Sequence, residues 1–261
     1  MNLNPIMLAA GAEIMRIYGT DFQVSNKSDA SPVTEADQRA EAIILQGLKA
    51  LAPEIPVVAE EEASAGRIPH TQSLFFLVDP LDGTKEFVSK NGEFTVNIAL
   101  IEDGVPVLGA VYAPALGTLY WGAKDEGAYM AEVIDGQTVN TRRIKVRIPG
   151  PAGLLAVGSR SHGGAETQSY LEAYKISDFV AAGSSLKFCL IAVGEADIYP
   201  RMGRTMEWDT AAGDAVLRAA GGRVETMDHQ TLRYGKRDIP NEADFANPHF
   251  VAFGDPSIGI D

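Results

Sequence analysis

Two aspartates stand three residues apart in Asp79-Pro80-Leu81-Asp82-Gly83-Thr84, directly after the apolar run 74–78. The pattern predicts a buried strand ending in a tight turn that presents two carboxylates, the Leu81 carbonyl and the Thr84 hydroxyl together. Closely spaced oxygens on a rigid turn suit a hard divalent cation such as Mg²⁺. A hydroxyl beside them suits the holding of a metal-activated water in line with a scissile bond. Further acidic groups sit at element ends: Asp37 in the first turn of an expected helix, Glu60 and Glu61 after a short strand, and Asp209 after Trp208 at the start of another helix. Each also has a structural reading. Thr34 with Asp37 fits a capping box, Glu60 to Glu62 a solvated charge run, Asp209 a helix cap, and Asp82-Gly83 ordinary turn chemistry. Ser184-Ser185-Leu186-Lys187 opens an otherwise apolar helix. It reads either as a serine cap with a snorkelling lysine or as an anion site made of a helix terminus, hydroxyls and an ammonium.

The elements that position these groups follow from periodicity. Residues 4–18 have helical spacing that stops at Gly19, and a second helix opens at Thr34 with Ala40, Ile43, Ile44, Leu48 and Leu51 on one side. Strands are expected at 55–59 and 74–78. Alternation from Phe94 to Met130, with a hairpin signal at Glu102-Asp103-Gly104, predicts an antiparallel meander whose last strand is 142–148. Its basic residues Arg142, Arg143, Lys145 and Arg147 read as a solvated strand face. Pro149 to Gly153 marks a boundary. Beyond it lie strands near 154–157, 179–181 and 250–253, with helices near 166–174, 185–193 and 210–220. The expectation is an α+β domain at 1–148 and an α/β domain at 149–261.

Composition narrows the class. The chain of 261 residues is 46% hydrophobic and 22% charged, enough for a sizeable core. A formal net charge of −13 repels nucleic-acid backbones, so no nucleic-acid polymer is expected as partner. The single cysteine, Cys189, excludes an internal disulfide and reads as a small core residue in a reducing compartment. No apolar run spans a bilayer, and the N-terminus lacks the basic region of a secretory signal. A cytoplasmic location is expected, with loose peripheral attachment to the cytoplasmic membrane face left open. The oligomeric state is not readable.

Taken together, the acidic motifs carry more. Thr34 to Asp37, Glu60-Glu61, Asp79 to Thr84, and Trp208-Asp209-Thr210-Ala211-Ala212-Gly213 occur in the order that resembles the lithium-sensitive, magnesium-dependent phosphomonoesterases, to which inositol monophosphatase and fructose-1,6-bisphosphatase belong. Lys27-Ser28-Asp29, Ser31 to Thr34, Asp79 to Phe87, Asn91 to Ala99, Tyr112-Ala113-Pro114, Ser159 to His162 and Gly183 to Cys189 resemble the bacterial 3'(2'),5'-bisphosphate nucleotidase branch over nearly the whole chain. Ala59 departs from the serine expected before the glutamate pair.

The resemblance implies a layered αβαβα sandwich, with most metal ligands in the first domain and the nucleotide- and phosphate-binding segments in the second. It implies Mg²⁺ as cofactor, two ions or three if a weak one arrives with substrate. Glu60, Asp79 and the Leu81 carbonyl would hold one ion, and Asp79, Asp82 and Asp209 a second. Thr84 and Asp37 would form the water-activating pair, with Glu61 in support. Gly83 and Thr84 would offer amides to the reacting phosphate, flanked by Glu60, Asp82 and Asp209. Ser184, Ser185 and Lys187 would grip the phosphate that is retained, and Ser161, His162 and Arg201 would touch the nucleotide. The implied reaction converts adenosine 3',5'-bisphosphate to AMP and phosphate, in the service of sulfate assimilation. Inositol monophosphate or a sugar bisphosphate are the alternative substrates, and a non-enzymatic regulatory binder is the remaining class.

Overall fold

A computed structural model describes residues 1–26, 32–159 and 164–259. The chain opens with α1 (Asn4–Tyr18), which has Pro5 at its first turn and buries Met7, Ala10, Ile14 and Ile17. Next come β1 (Val24–Asn26), β2 (Pro32–Thr34) and α2 (Glu35–Leu51). The expected capping box forms: Thr34 Oγ1 accepts from the Ala36 amide, and Asp37 accepts from the Thr34 amide. After β3 (Val57–Ala59), α3 (Glu60–Ser64), β4 (Leu74–Asp82) and α4 (Thr84–Val88) comes the meander β5 (Thr95–Glu102), β6 (Val105–Ala113), β7 (Thr118–Ala123), β8 (Gly127–Ile134) and β9 (Gln137–Ile144). The rest is β10 (Leu154–Gly158), α5 (Ala165–Leu171), β11 (Ile176–Ala181), α6 (Leu186–Ala192), β12 (Ile198–Arg201), α7 (Glu207–Ala219), β13 (Arg223–Thr226) and β14 (Phe250–Phe253).

Two sheets result. The larger runs β3-β4-β5-β6-β7-β8-β9, parallel only between β3 and β4. The smaller runs β11-β10-β12-β14-β13; its β10 pairs are parallel and its β14 pairs antiparallel. Alternation along β4 assigns its side chains to two cores. Phe76 and Val78 meet Met7, Ile14, Ile44 and Leu48 of α1 and α2, whereas Phe75 and Leu77 share a cluster with Phe188 and Cys189 of α6 and Ala211, Ala212 and Val216 of α7. On the far side of the smaller sheet, Ala156, Ile198, Val251 and Phe253 pack with Leu171 and Tyr174. The order is therefore helix, sheet, helix, sheet, helix: an αβαβα sandwich. The central layer is tight. A Cβ added to Gly109 of β6 would lie 2.5 Å from the Ala212 carbonyl oxygen of α7.

Several elements differ from expectation. β4 does not turn at Asp79 but continues to Asp82, its pairing with β5 shifting register between Asp79↔Asn97 and Asp82↔Thr95. An irregularity of this kind re-aims side chains without ending the strand. β9 starts five residues earlier than the basic alternation predicts and ends at Ile144. Arg142 and Arg143 are exposed on it, but Arg147 lies beyond it and clamps Asp197 through two bonds of 2.8 and 2.7 Å. α7 begins at Glu207, so Asp209 is its third residue rather than the residue before it. The short strands β12 and β13 had no sequence signal.

Asp197 is 1% exposed and also accepts from the Leu155 amide at 2.7 Å, so it fastens the chain between the sheets to the smaller one. Removing one member of such a pair strands a buried charge. Arg147→Met should lower unfolding free energy by about 2 kcal/mol, toward the low end for buried pairs because the guanidinium is partly solvated. Urea denaturation at neutral pH measures it, and an unchanged midpoint would contradict this account.

Candidate active site

The chemistry-bearing residues come from five places in sequence and meet at one end of the two sheets. Strands β3 and β4 are parallel, so their carboxyl ends lie side by side. There β3 delivers Glu60 at the first turn of α3, and β4 delivers Asp79, Leu81 and Asp82. Gly83 follows at φ +89°, a left-handed conformation that turns the chain at once into α4 and sets Thr84 as its first residue. α2 brings Asp37, α6 brings Lys187, and α7 brings Asp209. Crevices at the carboxyl ends of strands, faced by helix amino termini, are where α/β architectures bind anions.

Asp37 and Thr84, 47 residues apart, are joined. The Thr84 hydroxyl lies 3.2 Å from Asp37 Oδ1 and 3.3 Å from the Leu81 carbonyl oxygen, and can donate to either. Asp37 Oδ2 is occupied by the Thr34 amide and hydroxyl at 2.8 and 2.7 Å. The capping and functional readings of Asp37 are thus not exclusive: one oxygen caps the helix and the other faces Thr84.

Asp79 is 2% exposed, and one of its oxygens accepts from the Leu81 amide at 3.0 Å. Burial first, then the charges of Glu60, Asp82 and Asp209, push its carboxyl well above the usual range. Asp209 is raised in the same way by burial and by Asp82 and Glu60. Asp82 is raised to about 6 by burial, against the pull of Lys187 and of a bond from Ser185. Among the described residues, no three His, Cys, Asp or Glu side chains close on a common metal position as they lie. Several are turned to protein donors instead: Asp82 Oδ2 accepts from Ser185 Oγ at 3.1 Å, and Asp209 Oδ2 from the Met206 amide at 2.8 Å. The donor set nevertheless fits a hard cation. It consists of oxygens alone, and its carboxylates are near enough to raise one another's proton affinity.

Beside the carboxylates, a cavity of about 120 Å³ is lined by Asp82, Gly83, Ser184, Lys187, Arg201 and Asp209 among others. Lys187 is 6% exposed; its ammonium donates to the Ala182 and Ser184 carbonyls at 3.2 and 2.6 Å. Burial brings it down to about 8, with Asp82 opposing. The two serines are already engaged. Ser184 Oγ donates to the Glu93 carbonyl at 3.1 Å, and Ser185 Oγ lies 2.7 Å from the Asp209 carbonyl as well as against Asp82. Ser185 therefore stands between the acidic group and α6, whereas Lys187 and Arg201 face the cavity. Glu61 donates its amide to Glu41 Oε2 at 2.8 Å. Ser161 and His162 lie outside the described residues. Trp208 packs on Phe245 at 6.2 Å between centroids.

Two residues escaped the sequence reading. Asn97 is fully buried, and its Nδ2 reaches Ser185 Oγ at 2.9 Å and Asp82 Oδ2 at 3.4 Å. Glu41, 4% exposed, accepts from the Glu61 and Glu62 amides at 2.8 and 3.0 Å; burial raises it to about 7. The available signal was a polar residue on an apolar face: Asn97 on the face of β5 that carries Ala99 and Ile101, and Glu41 on the buried face of α2 with Ile44 and Leu48.

The raised carboxyls fix a sign. They hold protons more tightly folded than unfolded, so their contribution is favourable below the unfolded value of 3.8 and is lost as pH rises through about 6 for Asp82 and through the raised values of Asp79 and Asp209. In chelator, Tm should fall by about 3 °C or more between pH 5 and pH 7.5. Asp79→Asn should flatten that slope and raise Tm at the higher pH. A Tm that rises with pH in the parent, measured by calorimetry, would overturn this electrostatic account.

Comparison with known proteins agrees with the fold. The model of the inositol monophosphatase family matches residues 4–251. The chain is 46% identical over 243 residues to 3'(2'),5'-bisphosphate nucleotidase CysQ of Salmonella typhimurium, covering 92% of this chain and 94% of that one. The crystal structure of CysQ from Bacteroides thetaiotaomicron, a bacterial member of the inositol monophosphatase family, superposes with a TM-score of 0.77 at 36% identity, covering 95% of this chain and 94% of that one. An inositol monophosphatase from Anabaena superposes with a TM-score of 0.73 at 25% identity, covering 96% and 88%. The chain belongs to the inositol monophosphatase family.

Proposed function

We propose that this protein is a Mg²⁺-dependent 3'(2'),5'-bisphosphate nucleotidase that hydrolyses the 3'-phosphate of adenosine 3',5'-bisphosphate to give AMP and phosphate. The similarity to CysQ proteins supports the activity. The observation that carries the substrate choice is one cavity lined both by Asp82 and Asp209 and by Lys187 and Arg201. A bisphosphorylated substrate needs two anion sites of different kinds: one acidic and completed by cations, where a phosphate reacts, and one basic, where the other phosphate is only held. A monophosphate leaves the basic side unused.

Glu60, Asp79, Asp82, Asp209 and the Leu81 carbonyl are the groups that would hold Mg²⁺. When bound, such ions supply Lewis acidity that stabilises the attacking and leaving oxygens of an in-line displacement. The protein's own part is positional. Thr84 donates its proton to Asp37, which leaves its hydroxyl lone pairs free to accept from a water and fix that water's direction of attack. Gly83 and Thr84 contribute amides at the amino end of α4. Glu61 supports Glu60 from the adjoining position. Lys187 is pinned by two carbonyls, so one ammonium proton remains for a ligand without further ordering of the side chain. Asn97 and Ser185 hold Asp82 in place between the two sides. No Ser or Cys nucleophile is required, and Cys189 is buried, its thiol pushed up by desolvation.

A substrate panel tests the reading. With Mg²⁺, adenosine 3',5'-bisphosphate should exceed inositol monophosphate and fructose 1,6-bisphosphate in kcat/KM, and Li⁺ should inhibit. Asp82→Asn should abolish phosphate release. Lys187→Ala should reduce kcat/KM for the bisphosphate by about 100-fold, in line with loss of a buried charged partner, while changing turnover of a monophosphate much less. Equal losses on both substrates would remove Lys187 from the proposed role, and absence of phosphate release from every bisphosphate would remove the activity.

A further inference from the structure

The short helix α3 carries Glu60, and its Glu62 takes two bonds of 2.7 Å from Arg67 just beyond its end. None of its residues is fully buried, and its N-cap, Ala59, makes no side-chain capping bond. Ala63 packs only partly against the central core. On one side lies a cavity of about 900 Å³ lined by Glu41, Glu60, Glu61, Arg204 and Trp208 among others, so no solid wall backs the helix there. What meets its amino end is the carboxylate of Glu41, one oxygen on the Glu61 amide at 2.8 Å and the other on the Glu62 amide at 3.0 Å. A carboxylate from another helix thus performs the capping that Ala59 cannot. Glu41 lies four residues after Asp37, on the same buried face of α2. That face therefore reaches two partners: Asp37 meets Thr84 at 3.2 Å, and Glu41 meets the root of α3.

We infer that Glu41 is a positioning residue: by capping α3 from α2 it sets the place of Glu60 relative to the Asp37–Thr84 pair. The inference rests on the reading of Glu60 as a metal-holding group. Two converging amides need two acceptor oxygens. Glutamine supplies one acceptor and sets an NH₂ donor against the second amide, so Glu41→Gln preserves size and changes only this contact. Groups that orient ligands from behind typically cost 10–100-fold in metal affinity or activity when replaced.

The test compares the parent with Glu41→Gln, each read three ways: Tm in chelator, the rise in Tm on adding Mg²⁺, and the Mg²⁺ concentration that half-activates phosphate release. Expected are a half-activating concentration raised by about tenfold or more, a smaller Mg²⁺-induced rise in Tm, and recovery of much of the activity at high Mg²⁺. A variant with lowered Tm in chelator but an unchanged Mg²⁺ midpoint and an unchanged Mg²⁺-induced rise would show a purely structural cap and overturn the inference. Glu41→Asp, whose shorter arm cannot span both amides, takes the glutamine variant's place if that one does not fold. The Mg²⁺-induced shift is read without substrate. If the parent binds Mg²⁺ but hydrolyses none of the bisphosphates, the proposed activity fails while the positioning comparison still stands.

Discussion

Like charges in a crevice with little water set the terms for the rest of this molecule. Desolvation raises the proton affinity of Asp79, Asp82 and Asp209, and neighbouring carboxylates, Glu60 among them, add to the effect. At low effective dielectric such repulsion is far stronger than in water. The architecture tolerates it by drawing each group from a different rigid element. Glu60 and Asp209 sit in the first turns of α3 and α7, where the helix dipole favours negative charge. Asp79 and Asp82 sit at an irregular end of β4, held through an amide and a serine hydroxyl. Lys187 is the nearby positive charge whose pull on Asp82 opposes the effect of burial.

The layers explain how elements distant in sequence can be held to this arrangement. α7 lies between the two sheets and touches β4, β5, β6 and β7 on one side and β13 on the other. Its first turn carries Asp209, and Glu207 at its start binds the Gly235 and Lys236 amides at 2.5 and 2.9 Å. The acidic group is therefore anchored to the larger sheet through β4 and to the central helices through α7. The basic side is anchored through α6 and β12. Asn97 and Ser185 cross the gap between the two sides.

Much of this was legible in the chain. The Asp79–Thr84 motif is compact in sequence and follows a plainly apolar strand, so its meaning survives without coordinates. The Thr34–Asp37 capping box is local for the same reason. What escaped depended on partners far away. Glu41 binds backbone amides 20 and 21 residues on, and Arg147 binds a carboxylate 50 residues on; no local pattern encodes either. α7 was read as starting too late because its N-cap is Met206, whose amide is held by Asp209 from within the first turn, rather than a serine or aspartate ahead of the helix. β12 and β13 are four residues each and gain their identity by pairing, β12 with β10 and β14 and β13 with β14. The Ser185 hydroxyl, expected to face an anion, lies 3.1 Å from Asp82 Oδ2 and 2.7 Å from the Asp209 carbonyl, a neighbourhood set by packing across the two sides that no local pattern encodes.

The close seating of α7 against β6 has an evolutionary corollary. A helix whose carbonyl would lie 2.5 Å from any added methyl at Gly109 has no slack to slide or tilt. Selection for a new substrate cannot work by nudging Asp209, because any drift of the helix disturbs both sheets together. Variation is free to accumulate instead at the rim formed by β11 and α5, where side chains are more exposed. Reaction chemistry stays constant on such a scaffold while the identity of the group carrying the phosphate diversifies.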